Sequence, residues 1–476
     1  MFDGISISKH LLPVVSKYNV VKRKTYYILS RYTYSVDNMY LHQNTLINKL
    51  SIVKVGAHKL QDTKFWAILL LVLVISNFSS VMSSLVNSVT IGCNGQISIP
   101  NVTAKSGSAK DIQSAVNWVV AHGGIGNVYV PEGTFNFVEN GEPWMTVVIP
   151  AGVNLFGAPT ERDANGQVVE WKTVLVMPWD VPGNDTIGIP AWFTISGNRD
   201  PNKSSRFSDI KLVGYRDIDP NSTSLHFAIV VDGVINFRID HCYFRHTTEG
   251  ILTVRSCGVI DHCKLVNVYG VPYGPDGSWE TRTIGYGVAV AGNWDKPFEW
   301  ETDATKILGQ YTNYSVYIED CYFSKWRHCT VATFNGHVIL RYSIVDNDFA
   351  YGSVDIHGGD ESHAGGRAVE VYDNIFKDPD PNWNRDSVSF HRGGAGVYFN
   401  NTVSGSPCYA RFVTMINENP YEQYHVNDVY IWNNNLTSGV VLVQVIGEGI
   451  KENEQYYLHA PSWYMPYPYP HPLTLE

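Results

Sequence analysis

Charge is scarce in this chain of 476 residues: Asp, Glu, Lys and Arg together make up 17% of it. With 44% hydrophobic residues beside so little charge, an intrinsically disordered protein is excluded and a large core can be built. Basic residues are scarcer than acidic ones, 35 against 45, and their placement is lopsided. Residues 1–64 hold ten Lys or Arg and three Asp or Glu, a net of +7, so the remainder carries −17. An acidic body argues against nucleic acid as a partner. Cysteine is sparse too, at seven, and nothing in its spacing resembles a zinc site.

One run has no charge at all: Phe65 to Val86. Its most apolar part, Phe65 to Ile75, is nearer the length of a signal-peptide core than of a membrane span, which needs about 20 residues. The whole run is just long enough to span. Residues 1–64 therefore read as a basic leader or cytoplasmic tail, and residues 65–86 as a signal-peptide core or a single membrane anchor. Lys59 and Lys64 put the basic end inside. Either reading leaves the following domain extracellular, secreted or anchored to the outer face of the membrane. Seven Asn-x-Ser/Thr triplets fit that location, at Asn101, Asn184, Asn202, Asn221, Asn313, Asn400 and Asn435.

Beyond the apolar run, short β-rich stretches dominate. His337 to Val345, Arg367 to Phe376 and Gly396 to Val403 are too short for helices and rich in Val, Ile, Tyr and Phe. Each meets a polar pair, Asp346-Asn347, Asp373-Asn374 or Asn400-Asn401, at an even step of 27 residues. RIDHCYF from Arg238 repeats as VIDHCKL from Val259, 21 residues on. Strands recurring at such a period are the mark of a solenoid. Cys242, Cys263 and Cys321 close such runs and are expected at the inward turn position that Asn347, Asn374 and Asn401 take on later coils. A stack of buried thiols and a set of disulfides both fit. Residues 158–190 and 268–312 interrupt the rhythm, and residues 461–476 form a Pro/Tyr-rich tail lying over the last coil or extending from it.

The domain opens on a helix, Ser108 to Ala121, with a stripe of Ile112, Ala115, Val116, Val119 and Val120, an N-cap at Ser108 and a stop at Gly123-Gly124. A Val-x-Val-Pro-x-Gly-Thr-Phe strand and an Ile-Pro-x-Gly-Val-x-Leu-x-Gly strand follow. This order resembles the opening of pectate-lyase-like right-handed parallel β-helix proteins. The resemblance implies an all-β fold, a right-handed parallel β-helix (β-solenoid) over residues 90–460 whose N-terminal helix caps the open end of the coils. Glu370-Val-Tyr372-Asp373-Asn374-Ile-Phe376 resembles the late strand of pectate lyases. However, Glu370 stands where that family has His, and the Arg-x-Pro element of its catalytic arginine is missing just upstream of this strand. The clustered aspartates beside Gly-His-Gly that mark polygalacturonase-type hydrolases are also missing.

Enzymes of this superfamily cleave acidic polysaccharides by β-elimination or hydrolyse glycosidic bonds. Elimination needs a base for the proton beside a uronate carboxylate and a cation for the developing enolate. His328, His357, Arg392 and Arg327 are the catalytic candidates, because imidazole titrates near neutrality and guanidinium grips carboxylates. Arg367, His391, Trp279 and Trp300 are the substrate-binding ones. The aromatic residues of 268–312 either stack on sugar faces or pack their loop onto the solenoid. Asp355, Asp360 and Glu361 offer oxygens to a Ca2+ cofactor, and His357, Asp360 and His363 are another metal set. His328, His357 and His391 recur at about one coil plus a loop, which puts all three on one face. The polar residues also allow a plainer role, bonding neighbouring backbone or, for Arg367, pairing with Glu370. The expected function is an extracellular carbohydrate-active protein that cleaves acidic polysaccharide. The competing class is a non-catalytic surface adhesin or structural rod that binds glycans.

Overall fold

The computed structural model describes residues 99–139, 141–164, 167–179, 191–218, 226–268, 285–346, 352–378, 385–405 and 409–475. Residues 1–64 and the apolar run 65–86 lie outside these. Among the described residues no helix is long and apolar enough to cross a membrane.

One coil consists of Phe227–Asp232, Ile235–Asp240 and Tyr243–Arg245. The next repeats the pattern at Glu249–Val254, Cys257–Asp261 and Lys264–Val266, each strand pairing in parallel with its counterpart. Stacked coils make three sheets: sheet 1, with Ile235–Asp240, has twelve strands, while sheet 2, with Tyr243–Arg245, and sheet 3, with Phe227–Asp232, have ten each. The chain is a right-handed parallel β-helix. Val259 aligns with Arg238, so the RIDHCYF/VIDHCKL repeat is one coil step in register. Alternate side chains of the coil strands enter the interior, where Ile229, Ile251, Val288, Leu212, Phe244 and Leu265 are wholly buried.

The helix α1, Ala109–Ala121, closes the first coils. Ser108 accepts the Asp111 N–H at its start, and Ile112, Ala115, Val116 and Val119 bury. Val120 instead faces solvent, 44% exposed, because it falls beside the buried stripe rather than on it. The VLVMPW segment of the first interruption supplies a sheet 2 strand, Thr173–Val176.

Between sheets 1 and 2 the chain turns on a left-handed residue followed by one that points inward. Asp209, His241, His262, Asp320, Tyr342, Asp373, Asn400 and Asn433 all have φ between +51° and +62°. The inward residues are Cys242, Cys263, Cys321, Ser343, Asn374 and Asn401, all buried. The cysteines are free thiols. Asp346 does not belong to this series: it ends a sheet 2 strand and aligns with Lys377. Ser343 holds the corner, donating its N–H to Asn374 Oδ1 at 2.9 Å. The expected Asn347 lies outside the described residues.

Rather than staying over the last coil, the Pro/Tyr tail runs back across the outside of sheet 1. Its Tyr464 ring meets Trp432, its Tyr467 ring meets Tyr317, and the carbonyls of Leu473 and Thr474 accept from Arg238. With Ala304, Ile307 and Leu308 it covers an outer apolar layer of Tyr317, Tyr372, Phe399 and Tyr430.

Candidate functional site on sheet 3

Val354 and Ile356 enter the core, so the residue between them, Asp355, faces outward, aligned with Val331 and Phe390 on the neighbouring strands. Arg392 grips Asp355 with two bonds, Nε to Oδ1 at 2.9 Å and Nη2 to Oδ2 at 2.6 Å. Its Nη1 donates to Glu418 at 2.9 Å. His328, at the start of His328–Thr333, is buried and donates from Nδ1 to the Gly352 carbonyl at 2.5 Å. That bond leaves Nε2 as the basic nitrogen, 3.9 Å from Asp355 Oδ2. Tyr286 stacks on the His328 ring at 5.7 Å and donates its N–H to Glu249 at 2.6 Å.

The electrostatics of this row are set by burial and by its own members. Burial pushes the Asp355 carboxyl up, but Arg392, His328 and His357 outweigh it and hold it at about 2. Burial pulls His328 down to about 4, with Arg327 and Arg392 adding to the effect against Asp355. Burial raises the Tyr286 phenol, and Arg327 and Arg392 oppose that rise. At neutral pH the site holds an ionised carboxylate, a neutral imidazole, a neutral phenol and two guanidinium groups.

Of the candidate residues, His328, Arg327, Arg392, Asp355 and His357 therefore influence one another. His357 is half-buried, with Nδ1 on the Gly358 carbonyl at 2.7 Å. His391 does not join the row. It aligns with Ile356 on the inward phase, is buried, accepts from the Tyr398 hydroxyl at 2.8 Å and donates to the Gly394 carbonyl at 3.1 Å. Arg367 is buried elsewhere, on sheet 1, donating to the Glu301 carbonyl, 5.3 Å from the Trp300 ring. It does not pair with Glu370, which accepts from His337, Gly309 and Tyr464. Trp300 packs on Arg367 and, at 5.0 Å, on Tyr424, the loop-packing role. Trp279 lies outside the described residues.

The calcium candidates are not gathered. Arg392 occupies both Asp355 oxygens, while Asp360 and Glu361 sit at the exposed tip of the hairpin Gly358–Asp360 with His363–Gly365. Among the described residues the one group with metal-ligating atoms mutually within 4.8 Å is Asp240, His241 and Asp261. Arg206 and Arg238 already neutralise those two carboxylates. Tyr286, Glu249 and Glu418 escaped the sequence reading. Tyr286 opens the strand Tyr286–Ala291, and its register beside His328 is set by the stacking of coils rather than by any local pattern.

No family model matches the chain, and no curated protein matches it. Solved structures do. An alginate lyase from Paenibacillus sp. str. FPU-7 aligns over 75% of this chain and 95% of its own, at 11% identity and TM-score 0.33. PfbA, a surface adhesin of Streptococcus pneumoniae, aligns over 75% of this chain and 92% of its own, at 12% identity and TM-score 0.39. DFA-IIIase from Arthrobacter chlorophenolicus A6 aligns over 73% and 92%, at 12% identity and TM-score 0.39. These are similarities of fold and carry no assignment of activity.

Proposed function

We propose that this protein is an extracellular carbohydrate-active protein that binds acidic polysaccharide and cleaves it by β-elimination at the sheet 3 row. The observation that supports the reading is the neutral His328 imidazole, its Nε2 basic, beside an ionised carboxylate and two guanidinium groups. Arg327 and Arg392 draw the uronate carboxylate and stabilise the enolate. His328 Nε2 takes the proton on the adjacent carbon. The C–H electrons pass through the enolate into a new carbon–carbon double bond, and the glycosidic oxygen leaves, taking a proton from the Tyr286 hydroxyl. Asp355 stabilises the imidazolium. No step is routed through Ca2+, because among the described residues Asp355, Asp360 and Glu361 are not gathered into one oxygen cage. Asn101, Asn202, Asn313, Asn400 and Asn435 are exposed, as glycan acceptors of an exported protein must be. The other two triplet asparagines lie outside the described residues.

One observation favours binding without cleavage, as on an adhesin: His328 is almost wholly buried, and Arg392 is closed between Asp355 and Glu418. A single experiment separates the two. The full chain is offered uronate polysaccharides and the absorbance of an unsaturated product is followed, with and without EDTA. Elimination predicts product in both conditions, falling about a hundredfold or more in His328→Ala and Tyr286→Phe. Binding without product selects the adhesin reading, and neither binding nor product overturns both.

A further inference from the structure

The outer face of sheet 2 carries a pattern that the proposed reaction does not use. Its inward residues, Leu212, Phe244, Leu265 and Phe323, fill the core. Its outward residues stand in one row, Lys211 aligned with Tyr243, Tyr243 with Lys264 and Lys264 with Tyr322. The Lys211 ammonium lies 5.2 Å from the Tyr243 ring centre. Lys264 lies 5.2 Å from that ring and 5.6 Å from Tyr322. Trp171 packs against Tyr243 at 5.1 Å. The acids of this face are engaged: Asp217 by Arg245 and His246, Asp346 by the Tyr322 hydroxyl. Among the described residues neither lysine has a carboxylate partner. Burial, and then Arg245 and Lys264, pull Lys211 below its usual range against the opposing pull of Asp217.

We infer that this Lys-Tyr-Lys-Tyr row is a second binding surface, for a linear anionic polysaccharide. Adjacent strands lie about 4.8 Å apart, so the two ammonium groups recur at roughly 9.5 Å along a flat line. An extended uronate chain presents carboxylates on one side at a comparable interval, with sugar faces between them to meet the partly exposed Tyr322 and Trp171 rings, while the buried Tyr243 ring props the two lysines apart. Magnitudes favour this ligand over other polyanions. Nucleic acid is held by on the order of six to ten phosphate contacts, and an anionic membrane by about four to eight basic residues. Two lysines supply neither. The row lies on a different sheet from His328, so it holds the substrate chain rather than reacting with it. The inference rests on the proposed function only for the identity of that chain.

The test is affinity of the full chain for polygalacturonate, measured by calorimetry in the parent and in the His328→Ala background, so that a failed elimination reading leaves the readout intact. Lys211→Met with Lys264→Met keeps the stems over the rings and should weaken binding roughly tenfold at low salt, leaving a neutral glucan unaffected. Lys211→Arg with Lys264→Arg should bind as the parent does. Lys264→Gln alone covers the case in which the double variant misfolds, and should weaken binding about threefold. Unchanged affinity in a folded Met or Gln variant overturns the inference. So does equal loss on neutral glucan, or equally tight parent binding to phosphatidylserine vesicles or duplex DNA.

Discussion

Arg341 and Glu319 meet at 2.6 Å with both side chains fully buried, and the tail of the chain seals them in. Arg341 donates to the carbonyls of Tyr467 and Pro468 at 2.8 and 2.9 Å, and Glu319 accepts the His471 N–H at 2.9 Å. Arg341→Met leaves the Glu319 charge buried without its partner and should cost about 3–5 kcal/mol. Adding Glu319→Leu should recover much of that loss, since an apolar pair of similar volume carries no desolvation penalty. Urea denaturation of the two variants checks this; a double variant no better than the single one would contradict it.

Acid should loosen the coil through its buried histidines. Burial holds His328 and His391 at about 4, whereas an unfolded histidine titrates near 6.5. Between those values the unfolded chain binds protons that the folded chain refuses, so stability falls as pH drops through that window. At pH 5 the loss should be on the order of 2 kcal/mol per histidine relative to pH 7. His391→Gln should show a shallower decline than the parent. If urea midpoints at pH 7 and pH 5 coincide in the parent, the argument fails.

Asp355 and Glu418 both bind Arg392, yet they should not weigh alike. Asp355 is wholly buried, so Asp355→Asn strands Arg392 and should cost about 3–5 kcal/mol. Glu418 is 35% exposed, and Glu418→Gln should stay within about 1 kcal/mol. Because Asp355 raises His328, the Asn variant should move the His328 titration lower still, as read by NMR. An upward move would mean that the charge of Asp355 does not reach the imidazole.

The corner ladder makes a prediction in two chemistries. Asn401 Nδ2 donates to the carbonyl of Val371, and its Oδ1 accepts from Asn374. Asn401→Ala strands these buried groups and should cost roughly 2–4 kcal/mol. Cys242, Cys263 and Cys321 fill the same corner as thiols, and with Cys257 and Cys329 they should react with a thiol reagent only after unfolding. Rapid labelling of Cys242, Cys263 or Cys321 in the native protein would show that the corner opens.

The sequence by itself determined the fold. Alternating apolar residues, the Arg238/Val259 repeat, the Ser108-capped helix and the β-strands between polar corners are local patterns, and each survives folding because strand and helix periodicities are local too. What lies between coils was decided only by the tertiary structure. Successive corners from Cys321 through Ser343, Asn374 and Asn401 to Asn434 are 22, 31, 27 and 33 residues apart, so no even step could place Asp346 or predict which strand neighbours Tyr286. His391 faces the core and Asp355 faces outward because a one-residue change of phase exchanges the two sides of a strand. Arg392 finds Asp355 from 37 residues away, and the tail crosses sheet 1 to reach Arg238. Such contacts depend on loop lengths and on coils already stacked, and no stretch of sequence read alone contains them.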